Sequence, residues 1–118
     1  MTDIVAEEIS AGDTSEVWEV GFVTSVPGAL PIELADLSVG FSCRIYVQGA
    51  DPEIDRAVTS LNDDSTRFRA WLNPSETLAL GRGKWKIGIE LRNPALDPPL
   101  VKETHVIQKI NPGVVPPS

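Results

Sequence analysis

Reactive side chains are scarce along this chain, and their spacing limits what they can do. The single histidine, His105, and the single cysteine, Cys43, lie 62 positions apart by number (105 − 43), so neither has a local partner. A nucleophilic thiolate needs an adjacent base or cation. Cys43 instead falls on the apolar side of an alternating run, where a thiol behaves as a small hydrophobe. His105 has no Cys or His at ligand spacing, which argues against a zinc centre. No Gly-x-Ser-x-Gly elbow is present for a hydrolase. Asp51, Glu53, Asp55, Asp63 and Asp64 lack the ordered spacing of a calcium loop and read as solvated turn carboxylates. Gly81-Arg82-Gly83 has neither the length nor the Lys-Ser/Thr of a phosphate-binding loop, and reads as a helix stop and strand entry. The expectation is a chain with no catalytic residue, no cofactor and no metal.

Two groups of residues point to recognition instead. Arg67, Arg69 and Trp71 share one face of an extended run. An aromatic ring flanked by guanidinium groups has the composition of a protein-interface hot spot or a sugar platform. Packing of Trp71 against a second sheet of the same domain is the other reading. Ile4, Val5 and Ile9 punctuate an acidic N-terminal stretch without regular period. Such a segment is an arm, frayed unless sheet pairing or a partner ties it down.

The 118 residues, 42% of them hydrophobic, suit one domain with its own core. The longest apolar runs are a few residues, far short of the roughly 20 that cross a bilayer. Asp3, Glu7 and Glu8 stand where a secretory signal would have a basic head, so the chain is expected to be made and kept in a cytoplasm, at least until assembly. One cysteine allows no internal disulfide. Net charge is −7, and Asp3, Glu7, Glu8, Asp13, Glu16, Glu19, Glu33 and Asp36 all precede the first basic residue, Arg44. A wholly acidic first third argues against phosphate-backbone binding through that segment, and with the short apolar runs the expectation is no nucleic acid and no membrane as partners. It forms either a solvated edge that aids solubility or a surface that docks on a basic patch of a neighbouring subunit.

These residues must be positioned by strands. Over residues 39–48, Val39, Phe41, Cys43, Ile45 and Val47 alternate with Gly40, Ser42, Arg44, Tyr46 and Gln48, the pattern of a half-buried strand. Upstream, residues 16–24 place Trp18, Val20 and Phe22 on one face, Val26-Pro27-Gly28 makes a turn, and residues 30–37 form a short piece that Pro31 confines to an edge or a strand start. Downstream, residues 54–61 and 66–72 flank the turn formers Asn62-Asp63-Asp64-Ser65 as a hairpin. Asn73-Pro74-Ser75-Glu76 starts a short helix that Gly81 ends. Residues 84–92 give a second strand, with Trp85, Ile87, Ile89 and Leu91 inward and Lys84, Lys86, Glu90 and Arg92 outward. After a proline-rich connection over 93–99, residues 100–110 form a last strand with apolar residues on both faces. About seven short strands and one helical turn define an all-β fold, an immunoglobulin-like antiparallel β-sandwich. Residues 1–14 are its arm, 15–110 its body and 111–118 a proline-rich tail.

Ile9-Ser10-Ala11-Gly12-Asp13-Thr14, Trp18, and the Pro-Gly turn followed by Leu30-Pro31-Ile32-Glu33-Leu34 together resemble the opening of small immunoglobulin-like domains in tailed-phage virion proteins. The baseplate upper-protein N-terminal type is one that they resemble. Glu76-Thr77-Leu78-Ala79-Leu80 looks like the helical turn of those domains, and Trp85-Lys86-Ile87-Gly88-Ile89-Glu90-Leu91 like their aromatic strand. Where that family has a Gly-containing hairpin before the last strand, this chain has Asn93-Pro94-Ala95-Leu96-Asp97-Pro98-Pro99. The position within a virion therefore stays open. The resemblance implies a non-enzymatic structural protein of a tailed-phage virion, assembled in the host cytoplasm. It would be a tail or baseplate accessory or attachment subunit, or a head decoration protein, with other virion structural proteins and copies of itself as partners. Ile4, Val5, Ile9, Arg67, Arg69 and Trp71 are the expected interface residues, and trimming residues 1–14 is expected to block incorporation without unfolding the body. The alternative is a carbohydrate-binding or adhesion β-sandwich with Trp71 as its stacking platform.

Overall fold

The computed structural model describes residues 4–21, 23–24, 33–34, 36–50, 53–95 and 99–112. Among them the chain forms β1 (Ile4–Val5), β2 (Ile9–Ser10), β3 (Trp18–Val20), β4 (Val23–Thr24), β5 (Glu33–Leu34), β6 (Ser42–Val47), β7 (Ile54–Val58), β8 (Phe68–Ala70), α1 (Pro74–Leu80), β9 (Gly83–Asn93) and β10 (Leu100–Asn111). The fold is thus mostly β with one short helix. Its largest sheet runs β1-β10-β9-β6-β7, with β2 also on β10, while β3 pairs β8 and β4 pairs β5. Side chains of both the large sheet and the β3–β8 pair enter one core cluster, an arrangement compatible with a β-sandwich. The expected turn at Val26-Pro27-Gly28, together with Phe22, and the tail beyond residue 112 lie outside the described residues.

Alternation builds the centre of the large sheet. Ile45 and Val47 of β6 and Ile87, Ile89 and Leu91 of β9 are each no more than 1% exposed, as are Val106 and Ile110 of β10. Trp18, Val20, Phe68, Ala70 and Leu72 meet them from the other side. Each such aliphatic or aromatic side chain removed from water is worth roughly 1.5–3 kcal/mol. The central strand is shorter than its pattern suggests. Val39 is 70% exposed, because Gly40 takes φ +76 and turns the chain before β6 begins.

The hairpin expected around Asn62 forms only near its turn. The Asn62 side chain accepts from the N–H groups of Thr66 (2.8 Å) and Arg67 (3.0 Å), and residues 60–62 pair with 67–69 through Asn62 N–H to Arg67 C=O and Arg69 N–H to Ser60 C=O. Beyond that the arms part, β7 joining β6 and β8 joining β3. α1 then carries the chain from β8 back to the large sheet. The Glu76 carboxylate accepts the Asn73 backbone N–H at 2.9 Å, and Gly81 N–H closes the helix on the Thr77 carbonyl.

The fold is not wholly antiparallel, because the arm pairs in parallel with β10. Ile4 and Val5 lie opposite Val106 and Ile107, and Ile9 and Ser10 opposite Ile110 and Asn111. From Val5 to Ile9 is four steps (9 − 5), against three on β10 (110 − 107), so the arm bulges by one residue. Gln108, fully buried, fills the bulge and donates from Nε2 to the carbonyls of Glu7 (2.7 Å) and Lys109 (3.0 Å). The root of the arm is fixed as well. Buried Thr77 accepts Gly12 N–H and donates to the Asp13 carbonyl (2.7 Å), and Ser15 exchanges hydrogen bonds with the backbone of Leu72. Ala6 is part of the core and Ile9 and Ala11 pack on it. Removing residues 1–14 would therefore strip the edge of β10 and open the core.

Gln108→Glu would bury a carboxylate against two carbonyl oxygens, and leaving buried polar groups unpaired costs about 1–3 kcal/mol or more. The expected outcome is a lower unfolding midpoint together with faster hydrogen exchange at the Ala6 and Ala11 amides, which bond to β10. Unchanged protection at both amides would show that the arm does not depend on Gln108.

Candidate functional site

The outer face of the large sheet carries most of the polar chemistry. Arg44 and Glu90 lie directly opposite each other on β6 and β9. Arg44 donates to Glu90 (3.1 Å) and to Asp55 of β7 (2.7 Å), and Arg92 also pairs with Glu90. The pattern that put Glu90 outward was right about the face but not about solvent, since two guanidinium groups roof the side chain and leave it 9% exposed. Burial pushes the Glu90 carboxyl up. Hydrogen bonds from Arg92 and Arg44, with their charges, outweigh burial and hold it below the usual carboxylate range. Arg44, Asp55, Glu90 and Arg92, which line one depression here, satisfy one another, while Arg56 beside them pairs with Glu76.

Beside this network, the Tyr46 ring lies against Gly88. A Cβ built there would stand 2.2 Å from the ring, so no other residue fits without moving the tyrosine. Arg44 stacks over the same ring at 4.8 Å. Further across the sheet, His105 Nε2 sits 3.4 Å from the Glu103 carboxylate.

Cys43 points into the core, where burial, with help from the Glu90 charge, pushes its thiol up to about 12. His105 lies on the outer face of β10, with β9 between the two strands. The one thiol and the one imidazole therefore do not meet. Asp55 is committed to Arg44, and among the described residues no group of three or more His, Cys, Asp or Glu could hold a metal. Asp51 lies outside the described residues.

The six expected interface residues fall in two separate places. Val5 is 79% exposed and Ile4 41% at the β1 edge, while Ile9 packs on the core. Arg69 is exposed opposite Glu19 of β3. Arg67 is half-buried and covers Gly21 so closely that a Cβ there would meet its guanidinium at 2.5 Å. Trp71 is half-buried, its indole N–H bonded to Asn73 Oδ1 at 3.0 Å.

Arg56 is a residue that the sequence reading passed over. It lies opposite inward-facing Ile45, yet crosses to the other layer, where it donates to both Glu76 carboxylate oxygens (2.9 and 3.0 Å) and to the Trp71 carbonyl. A signal was available, because Arg56 interrupts the row formed by Ile54 and Val58. Burial pushes Glu76 up, but the bonds from Arg56 and the Asn73 N–H prevail and lower it.

No protein-family model matches the sequence, and no curated protein is significantly similar to it. The functional reading therefore stands on these surfaces, the strand order and the resemblance of the sequence motifs.

Two outcomes follow from the site chemistry. Glu76 and Glu90 have depressed pKa values in the folded state, so their stabilisation is complete above the unfolded value of about 4.3 and disappears as pH falls through the folded values. Glu76→Gln with Glu90→Gln should lower the urea midpoint at pH 7 and flatten its decline below about pH 4.3; an undiminished acid decline would exclude both groups. Cys43 should resist a thiol reagent at pH 8 in the native protein and react once urea unfolds it, whereas rapid native labelling would contradict its burial.

Proposed function

We propose that this chain is an immunoglobulin-like sandwich serving as a non-enzymatic structural subunit of a tailed-phage virion, in the tail or baseplate or as a head decoration. The strand order carries the reading. The last strand, β10, bonds β9 on one side and the opening strands β1 and β2 in parallel on the other. β6 and β7 complete that sheet, β3 and β8 lie across the core, and a helical turn links β8 to β9. The run β10-β9-β6 in one layer facing the β3–β8 pair parallels the GFC and BE strands of an immunoglobulin-like sandwich, which supports the reading. It agrees with the resemblance of residues 9–14, 76–80 and 85–91 to phage virion domains.

The geometry suits assembly. Rows of half-buried and exposed side chains are held on strands rather than loops, so a neighbour meets a rigid surface. Val5 of β1 and Val101 of β10, 79% and 60% exposed, offer apolar contact points there, and Val17, 41% exposed, offers another just before β3. Partners in this reading are other virion proteins and further copies of the chain.

Density-gradient particles of the phage that encodes this sequence should contain several copies of the chain per particle by quantitative mass spectrometry. Recovery from the lysate alone, with none in infectious particles, would remove the virion reading. A glycan array probed with the native protein and with Trp71→Ala decides the adhesion alternative, which requires binding that the substitution abolishes.

A further inference from the structure

We infer that two oppositely charged outer faces of this chain bind each other between copies, so that subunits stack head to tail. The inference gives a geometry to the self-association contained in the proposed function and rests on that reading.

The first face lies on the large sheet beside the arm. Val5, 79% exposed, stands in register with Ile107. Ile107 is opposite Lys86, and Lys109 opposite Lys84. Val5, Ala6, Ile107, Lys84, Lys109 and Glu8 line one concave surface. Glu8 is engaged by Lys109 at 3.2 Å, and Glu103, the next carboxylate along β10, lies against His105. Lys84 acts on Glu8 only through space and Lys86 shares a depression with Glu103, and neither lysine has an ion-pair partner within 4.0 Å among the described residues, so three lysines stand against two carboxylates. An apolar strip in a basic frame remains open to solvent.

The second face lies on the opposite side of the molecule. Trp18 and Val20 point into the core, so Val17 and Glu19 point away from the large sheet. Val17 is 41% exposed between Glu16 and Trp18. Glu19, Asp63 and Asp64 line one depression with Arg69 as its cation, leaving acidic charge in excess. Here an apolar residue sits in an acidic frame.

The signs complement, and one chain carries both halves, which identifies a second copy as the occupant. Because the faces are different surfaces, the contact is heterologous and repeats from subunit to subunit. Opposite charge sets the orientation and speeds encounter, and the valines and Ile107 supply the apolar contact.

Sedimentation velocity on the full chain over a concentration series, at low and high salt, tests this. The mass of the native protein should rise with concentration and fall back when salt is added. Lys84→Glu with Lys86→Glu, and separately Glu19→Lys with Asp63→Lys, should each weaken self-association at least about tenfold. Circular dichroism of each variant should match the native spectrum. An equimolar mixture of the two should associate again with the variants in 1:1 ratio, since the native faces meet and the two reversed faces are also opposite in sign, and Glu53→Lys, outside both faces, should change nothing. A native protein that stays monomeric throughout, an oligomer indifferent to both reversals, or variants that fail to complement would overturn the inference. A monomer that is nonetheless found in purified virions would overturn the inference and leave the proposed function standing.

Discussion

The inner face of the large sheet must be covered, and most of the chain is arranged to cover it. Ile45, Val47, Ile87, Ile89 and Leu91 form a continuous apolar surface across β6 and β9, which would destabilise the fold if left in water. The β3–β8 pair supplies Trp18, Val20, Phe68 and Ala70, but it is narrow. Leu37, Leu72 and Leu80, from the segments that link the strands, extend the cover, and the arm completes it with Ala6, Ile9 and Ala11. Turn, helix and arm therefore take their positions from one requirement.

A narrow second layer leaves open rims, and polar side chains close them. Arg56 sits on the core side of β7, yet its guanidinium reaches the rim and bonds Glu76 and the Trp71 carbonyl. A long side chain can bury its stem while its head finds polar partners. Elsewhere, Lys102 of β10 donates to the Gly21 carbonyl at 3.0 Å, while Ser15 and Thr77 fix the entry to β3. Of these ties only Arg56–Glu76 is an ion pair, and desolvation offsets part of its attraction.

The parts of the fold that follow from local period were legible in the sequence. The alternation over residues 84–92 and in the second half of 39–48 identifies β9 and β6, and Asn73-Pro74-Ser75-Glu76 with Gly81 bounds α1 closely. What depends on distant partners was not. Nothing near Ile4 or Ile9 announces that β10 will accept them in parallel, and Gln108 reads as an ordinary polar residue until the bulge places it inside. Glu90 looks solvated because an alternating pattern assigns a side chain to a face without saying what covers that face. Trp71 and its two arginines do share a stretch of chain, but Arg67 covers Gly21 and the indole is tied to Asn73. The basic frame around Val5 and Ile107 joins residues about 80 to 100 positions apart, which no short motif records.

The parallel pairing of β1 and β2 with β10 also determines how the domain bears load. Chain enters β1 beside Val106, midway along β10, and leaves β10 at Asn111, beside the end of β2. A pull between those points acts along the strands, so it loads the bonds from Ala6 and Ala11 and the Gln108 bridge together, in shear. Peeling would break them one at a time. The hydrogen bonds between the arm and residues 106–111 would therefore have to break together under axial tension.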